Sequence, residues 1–412
     1  MIYKILSQSC IPEHARLFIP TEIKAIKQIL KRGVTFDDIP QINHLTNSLL
    51  TQTTAHSHFK ILKYVITLIF FYRSSKLIDH LDIAIFSTLL QNQKLAITMT
   101  SKPKRIGKGS FGKVEQITVK TPESETKHIA VKTIRLTTAL CVISAKQEIH
   151  ILNLLSSNKQ LKNPHSLYFF NSYGAKIVSQ TTKTIMFAMY LEKGLKHDIS
   201  LLTTDADKFN VMSSIANALH YLQTNFQYSI SHNDLKSQQI MMGLDGRIKL
   251  IDFGMSFYFN TKTKESLFSQ LGISEEQIGG TNPPPDISEQ RYYLLKGYTD
   301  LNIKYLDKID IWAYGGLLTK LWAGDRLDSQ YVFFTKEQSR GSCANFASYV
   351  KQNNKQMLIQ WSEYIKAKLN TLGLKPSISS LIQGCLEPDP EKRLSINEVL
   401  DSLKTIQLVL NT

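Results

Sequence analysis

A chain of 412 residues with 42% hydrophobic and 20% charged side chains has the composition of a globular protein able to bury a core, which excludes wholesale disorder and leaves room for about two or three domains. The formal net charge of +15 attracts polyanions such as nucleic acid, acidic lipid or acidic protein, so an anionic partner stays open. The basic residues are nevertheless dispersed, as on a solvated lysine-rich surface, and Lys102, Lys104 and Arg105 are the nearest thing to a cluster. The cysteines Cys10, Cys141, Cys343 and Cys385 stand too far apart for a CxxC site and read as reduced thiols of a cytoplasmic protein.

Residues 1–98 read as a helical N-terminal extension. The start lacks the charged-then-apolar pattern of a signal peptide. Segment 21–32 (TEIKAIKQILKR) has apolar residues at helical spacing, with Thr21 as an N-cap and Gly33 as a stop. Segments 59–72 and 76–90 also carry a helical period. The apolar run 64–72 (YVITLIFFY) is nine residues long, whereas a bilayer needs about 20 in a helix. It reads as a core helix, with an interfacial membrane helix as the other reading. No catalytic pattern occurs in this part, which is expected to cover the catalytic portion or bind a partner.

From Lys104 onward the pattern changes. Short strand-like stretches at 105–106, 113–119 and 129–134 are separated by glycines and polar turns. A helix over 144–155, strands over 167–173 and 183–191, and a long, mostly helical remainder follow. A small sheet lobe ahead of a larger helical lobe is an α+β arrangement, and it is expected to occupy residues 99–412.

Four segments carry residue types suited to phosphoryl chemistry. Gly107, Lys108, Gly109, Ser110, Phe111, Gly112, Lys113 and Val114 form a GxGxxGxV run. Glycines let a backbone approach phosphates, and this run lies between two expected strands rather than ahead of a helix. A flexible hairpin would look the same. In Ile129, Ala130, Val131 and Lys132 a lysine interrupts an apolar strand, which is costly unless its charge is used; a lysine snorkelling from a strand end is the plainer reading. Glu148, sixteen residues on in a helix, either holds that lysine or is a surface glutamate. His232-Asn233-Asp234-Leu235-Lys236-Ser237-Gln238-Gln239 places Asp234 to accept a hydroxyl proton and Lys236 to neutralise a transferring phosphoryl group. After a turn at Asp245-Gly246 comes Ile251-Asp252-Phe253-Gly254. There Asp252 suits a Mg²⁺ ion bridging phosphate oxygens.

In this order the segments resemble the eukaryotic-type protein kinases. Three further stretches extend the likeness over about residues 104–405. Residues 186–192 (MFAMYLE) resemble the hinge, Asp310-Ile311-Trp312-Ala313-Tyr314-Gly315 resembles the DxWxxG helix, and 385–400 resembles the closing segment with its structural arginine, Arg393. The resemblance implies a bilobal kinase fold and transfer of the γ-phosphoryl group of ATP, with Mg²⁺ or Mn²⁺, to a protein substrate. It implies Asp234 as base, Lys236 as a phosphate-neutralising partner, and Lys132 paired with Glu148. It implies nucleotide contacts from Ile106, Gly107, Lys108, Gly109, Ser110, Phe111, Gly112, Val114, Ala130, Lys132 and the backbone of Met189 and Leu191. Asp252 and Gln239 would hold the metal. Lys236, together with Thr281 after Gly280, is similar to the serine/threonine class.

Three departures from the family pattern stand out. Gln239 stands in place of a metal-binding asparagine, Asn233 replaces an arginine that receives an activation-loop phosphate, and Pro284-Pro285-Asp286 replaces APE. The second change predicts activity that does not require phosphorylation at Thr261, Thr263, Ser266 or Ser269. The first keeps open a pseudokinase acting as a nucleotide-binding or scaffolding module. A lipid or small-molecule kinase is disfavoured by the presence of both Asp310 and Arg393. Divergent kinases of this kind occur in eukaryotes, in viruses and in bacteria that inject kinases into host cells, and the last origin would place the chain in host cytoplasm.

Overall fold

A computed structural model describes residues 98–108, 112–120, 126–137, 139–159, 167–180, 185–226, 228–259, 305–324 and 365–411, with 24–26, 28–29, 41, 45 and 363. The expected helices at 59–72 and 76–90, Cys10, Cys343, and residues 261–286 lie outside this set. Of segment 21–32, Lys24, Ala25, Ile26, Gln28 and Ile29 are helical as expected, with Ile26 and Ile29 buried. Among the described residues no helix is long and apolar enough to cross a membrane.

The chain divides into two compact units. The first is built on β1 (Thr98–Met99), β2 (Lys104–Lys108), β3 (Gly112–Lys120), β4 (Thr126–Leu136), β5 (Ser172–Gln180) and β6 (Ile185–Glu192), in the order β1-β3-β4-β6-β5 with β2 also paired to β3. Alternation explains the strands. Ile117 and Val119 of β3 and Ile129 and Val131 of β4 point to one face, where they join Ala188 and Tyr190 of β6 in a buried cluster with Tyr173 against it. Each such aliphatic side chain contributes about 1.5–3 kcal/mol when fully buried. Gly112 is demanded by this sheet: a Cβ there would lie 1.9 Å from the Thr133 carbonyl oxygen.

Helix α1 (Ala139–Lys159) leaves this unit and runs into the second. It is longer at both ends than the expected 144–155. The strand expected at 167–173 is corrected. Leu167 and Tyr168 lie in a 3-10 turn, Phe169 makes only an isolated parallel bridge to Leu250, and β5 begins at Ser172. Residues 169–170 are apolar because they are buried, not because they belong to a strand; the Phe169 ring sits 5.7 Å from that of Tyr221 and 5.9 Å from that of Phe253.

The second unit is mainly helical. Helix α2 (Asp205–Thr224) starts where the Thr204 hydroxyl accepts the Asp207 N–H at 3.0 Å, with Asp205 and Asp207 in the first turn. Val211, Ile215, Ala218 and Leu222 form part of its buried stripe. Helix α3 (Ile309–Ala323) packs on α2, where the Tyr314 hydroxyl donates to the Met212 carbonyl at 2.8 Å, and on α4 (Pro376–Cys385). Gly315 permits the latter approach, since a Cβ there would meet the Cβ of Cys385 at 2.8 Å. Helix α5 (Ile396–Asn411) packs on α2 and α4. Its start is closed by Ser395 and Glu398, each accepting from the other's backbone N–H, at 3.3 and 2.7 Å. The short strands β7 (Gly194–Lys196), β8 (Ser229–Ser231), β9 (Ile240–Gly243), β10 (Ile248–Leu250) and β11 (Phe257–Phe259) form a β10-β9-β7 sheet and a β11-β8 pair.

Arg393 is the largest fully buried side chain described. Its guanidinium donates to the carbonyls of Glu387 at 2.9 Å, Pro388 at 3.1 Å and Lys308 at 3.3 Å, and lies 5.2 Å from the centre of the Trp312 ring. Lys308 reciprocates by donating its ammonium to the Arg393 carbonyl. Arg393→Ala strands three carbonyls and is expected to cost about 3–5 kcal/mol, read as a lowered denaturant midpoint. Arg393→Lys, which lacks the planar fork, is expected to recover little of this.

Candidate active site

In the first unit, antiparallel register brings Val114 of β3 opposite Lys132 of β4, and Gln116 opposite Ala130. Opposed residues share a face, so Val114, Ala130 and Lys132 lie on the side away from Ile129 and Val131. The Lys132 ammonium donates to both carboxylate oxygens of Glu148 on α1, at 2.8 and 2.9 Å. The Glu148 side chain is only 5% exposed, so a two-point pairing is what offsets the desolvation of its charge. Of the two readings of Glu148, the surface glutamate is therefore excluded. The glycine run leaves β2 at Lys108 and enters β3 at Gly112, with Gly107 opposite Val114. Ile106 is exposed, Met189 of β6 is buried and Leu191 half-buried. Gly109, Ser110 and Phe111 lie outside the described residues.

In the second unit two antiparallel pairs set two loops side by side. Ser231 of β8 pairs with Phe257 of β11, and Ile240 of β9 with Leu250 of β10. One loop, 232–239, thus leaves β8 and ends at β9, closing with a 3-10 turn at Ser237–Gln239. The other, 251–256, leaves β10 and ends at β11. The Ile251 N–H donates to the Gln239 carbonyl at 3.0 Å, extending the contact past the hairpin. Asp234 and Asp252 sit in these facing loops. The Lys236 ammonium lies 2.6 Å from Asp234 Oδ2, and the Gln239 amide nitrogen bridges Asp234 Oδ2 at 3.3 Å and Asp252 Oδ2 at 3.2 Å. The structure therefore gathers Asp234, Lys236, Gln239 and Asp252 into one cluster, and Lys132 with Glu148 into another.

The base of the first loop is held by Asp310 at the start of α3. One carboxylate oxygen accepts the His232 N–H at 2.7 Å and the Ser231 hydroxyl at 3.0 Å, and the other accepts the Asn233 N–H at 2.8 Å. Burial pushes the Asp310 carboxyl above its usual range, opposed by the charge of His232 and by these hydrogen bonds. Phe253 fixes the second loop: it is fully buried, with its ring 5.2 Å from that of His232.

Two features were not anticipated from sequence. Asn233 is a donor, not merely a missing cation: its amide gives a 2.7 Å bond to the Met255 carbonyl. Lys249 of β10 is 3% exposed, lying 2.6 Å from Glu192, 3.3 Å from Asp245 and 5.2 Å from the centre of the Phe170 ring. Glu192, at the end of β6, also accepts the Asn171 N–H at 3.0 Å. Burial works to raise the Asp245 carboxyl, yet the Arg247 N–H and the Lys249 ammonium hold it below the usual range. A lysine inside the apolar run 248–251 was the signal for this network.

The cluster's donor set suits a hard cation. Asp252 offers carboxylate oxygens and Gln239 an amide oxygen if its end group turns over, while phosphate and water oxygens complete a Mg²⁺ shell in such sites. Among the described residues no group of three or more His, Cys, Asp or Glu side chains is placed to hold a metal by itself.

The profile of the family described as Protein kinase domain matches residues 100–403. Similar proteins include the serine/threonine-protein kinase grp of Drosophila melanogaster, 24% identical over 59% of this chain and 40% of its own length. They also include the serine/threonine-protein kinase CHK1 of Saccharomyces cerevisiae, 25% identical over 44% of this chain and 28% of its own. The NUAK family SNF1-like kinase 2 of Rattus norvegicus is 30% identical over 42% and 26%. This chain thus spans less than half the length of each. With the sheet unit, the helical unit and both polar clusters in the order this family has them, the chain belongs to the protein kinase family.

Proposed function

We propose that the chain is an active kinase that uses ATP and Mg²⁺ (or Mn²⁺) to phosphorylate serine and threonine hydroxyls of protein substrates. The observation that carries this reading is the four-residue cluster in which Lys236 and Gln239 both reach Asp234 and Gln239 also reaches Asp252. Asp234 takes the proton of the substrate hydroxyl as the hydroxyl oxygen bonds to the γ-phosphorus and the bond from that phosphorus to the β,γ-bridging oxygen breaks, releasing ADP. Lys236, held against Asp234, supplies positive charge beside the transferring group. Lys132, oriented by Glu148, contacts the nucleotide phosphates. Asp252 and Gln239 hold the divalent ion, whose chemistry when bound is to neutralise phosphate charge. Val114, Ala130, Met189 and Leu191 enclose the base, and the glycine run that begins at Gly107 is assigned to the phosphates. The serine/threonine preference draws on Lys236 and on the similarity to serine/threonine-protein kinases.

Residues 1–98 are assigned to an extension outside a catalytic domain of 99–412. The family match from residue 100 supports a boundary close to this point, and Thr98 at its edge pairs with β3 together with Met99. One observation favours a second reading, the pseudokinase: the Gln239 amide nitrogen occupies the space between the two carboxylates, where a cation must compete with it.

Radiolabelled ATP with Mg²⁺ or Mn²⁺ separates the two. Wild type is expected to transfer label to phosphoserine or phosphothreonine, and Asp234→Ala to lose about 10²–10⁴-fold of the rate. Lys132→Ala is expected to lose rate as well. Nucleotide binding without transfer under either metal would establish the pseudokinase. Gln239→Asn removes one methylene and its rotamer cost, and is expected to lower the Mg²⁺ concentration for half-maximal rate by about two- to fivefold.

A further inference from the structure

The segment Asp252-Phe253-Gly254 is pinned at both ends by the facing loop. Before it, the Ile251 carbonyl accepts from His232 Nε2 at 3.0 Å. After it, the Met255 carbonyl accepts from the Asn233 amide at 2.7 Å. Next to that second pin, the Ser256 hydroxyl donates to the His232 carbonyl at 3.0 Å. Asp252 itself is in the left-handed region, at φ 69°, a conformation that costs a non-glycine residue about 1 kcal/mol or more and persists only when neighbours hold it.

Asn233 suits this task in two ways. Its own φ is 66°, a region in which asparagine is several-fold enriched among non-glycine residues. The residue is 3% exposed, so the amide donates to Met255 with little competition from water. Its backbone N–H is fixed by Asp310 at 2.8 Å, which ties the pin to α3. The bond is unambiguous, because a carbonyl oxygen accepts only from the NH₂ end of the amide.

We propose that Asn233 is a positioning residue for the divalent metal site: its amide, anchored through Asp310, holds the chain after Gly254 and so keeps the Asp252 carboxylate aimed at the metal. Asn233 makes the orientation of Asp252 a property of the catalytic loop itself. This rests on the reading of Asp252 as the metal ligand.

The test is Mn²⁺ binding to the full chain with a non-hydrolysable ATP analogue, followed by electron paramagnetic resonance, in wild type, Asn233→Gly and Asn233→Asp. Glycine accepts the positive φ and deletes the amide; aspartate keeps the shape and replaces the donor by an acceptor. Both variants are expected to raise the half-saturating Mn²⁺ concentration about tenfold, the worth of one buried hydrogen bond, and to lower the metal-free melting temperature as well, aspartate more than glycine because it sets a buried carboxylate against a carbonyl. Unchanged Mn²⁺ affinity in the two variants overturns the proposal, as does a lowered melting temperature with no change in affinity, which marks a purely structural bond. Asp252→Asn is the reference: if it leaves Mn²⁺ binding unaltered, the metal assignment and the proposal fall together. A wild-type chain that binds Mn²⁺ through Asp252, shows the shift in both variants and transfers no phosphate supports the positioning role while refuting the kinase reading.

Discussion

A single buried carboxylate organises the catalytic half of this protein. Asp310 sits 1% exposed at the first turn of α3. It spends its acceptor capacity on the backbone N–H groups of His232 and Asn233 and on the Ser231 hydroxyl. Those N–H groups belong to a loop that cannot satisfy them within a ladder, and an unmet buried N–H costs about 1–3 kcal/mol. The carboxylate therefore decides the path of the chain just before Asp234. Both consecutive N–H groups converge on this one side chain, with Asn233 at a positive φ of 66°.

From that anchor the geometry propagates by short bonds. His232 and Asn233 each pass a side-chain hydrogen bond to the facing loop, on either side of Asp252. Gln239, at the far end of the first loop, closes the arrangement by touching both aspartates. The β8-β11 and β9-β10 pairs hold the two loops in register at their ends. The resulting cluster is buried enough for its charges to interact strongly, yet Asp234, Lys236 and Asp252 keep partial exposure, as groups that meet a substrate must. The Lys132–Glu148 pair applies the same logic in the sheet unit, where one polar side chain is fixed by another of opposite charge.

Much of this was legible in the sequence because the reacting residues lie within short contiguous segments. Asp234 with Lys236, and Asp252 before Phe253-Gly254, carry their chemistry in local order, and the glycine run announces the β2-β3 turn. The rest depends on partners far away in sequence. The Lys249–Glu192 pair spans 57 residues, and nothing near either residue names the other. Gly112 reads as a phosphate-loop glycine, although the contact that forbids a Cβ there is with the carbonyl of Thr133 in the next strand. Strand β5 was placed too early because Phe169 and Phe170 are more apolar than the strand itself. That strand stands at the end of the sheet order with Lys176 and Val178 exposed, so its burial pattern is weak. In the sequence Asn233 shows only the charge it lacks, since its role as a donor appears only when Met255 is beside it.

The central claim is that the folded chain itself holds the catalytic loop through Asp310, and amide hydrogen exchange resolved to His232 and Asn233 tests it most directly. Both amides are buried and bonded to the same carboxylate, so the account predicts that they exchange as slowly as the core amides of α3, by wide opening of the helical unit. Exchange at the rate of a solvent-exposed loop, with α3 still protected, would contradict it.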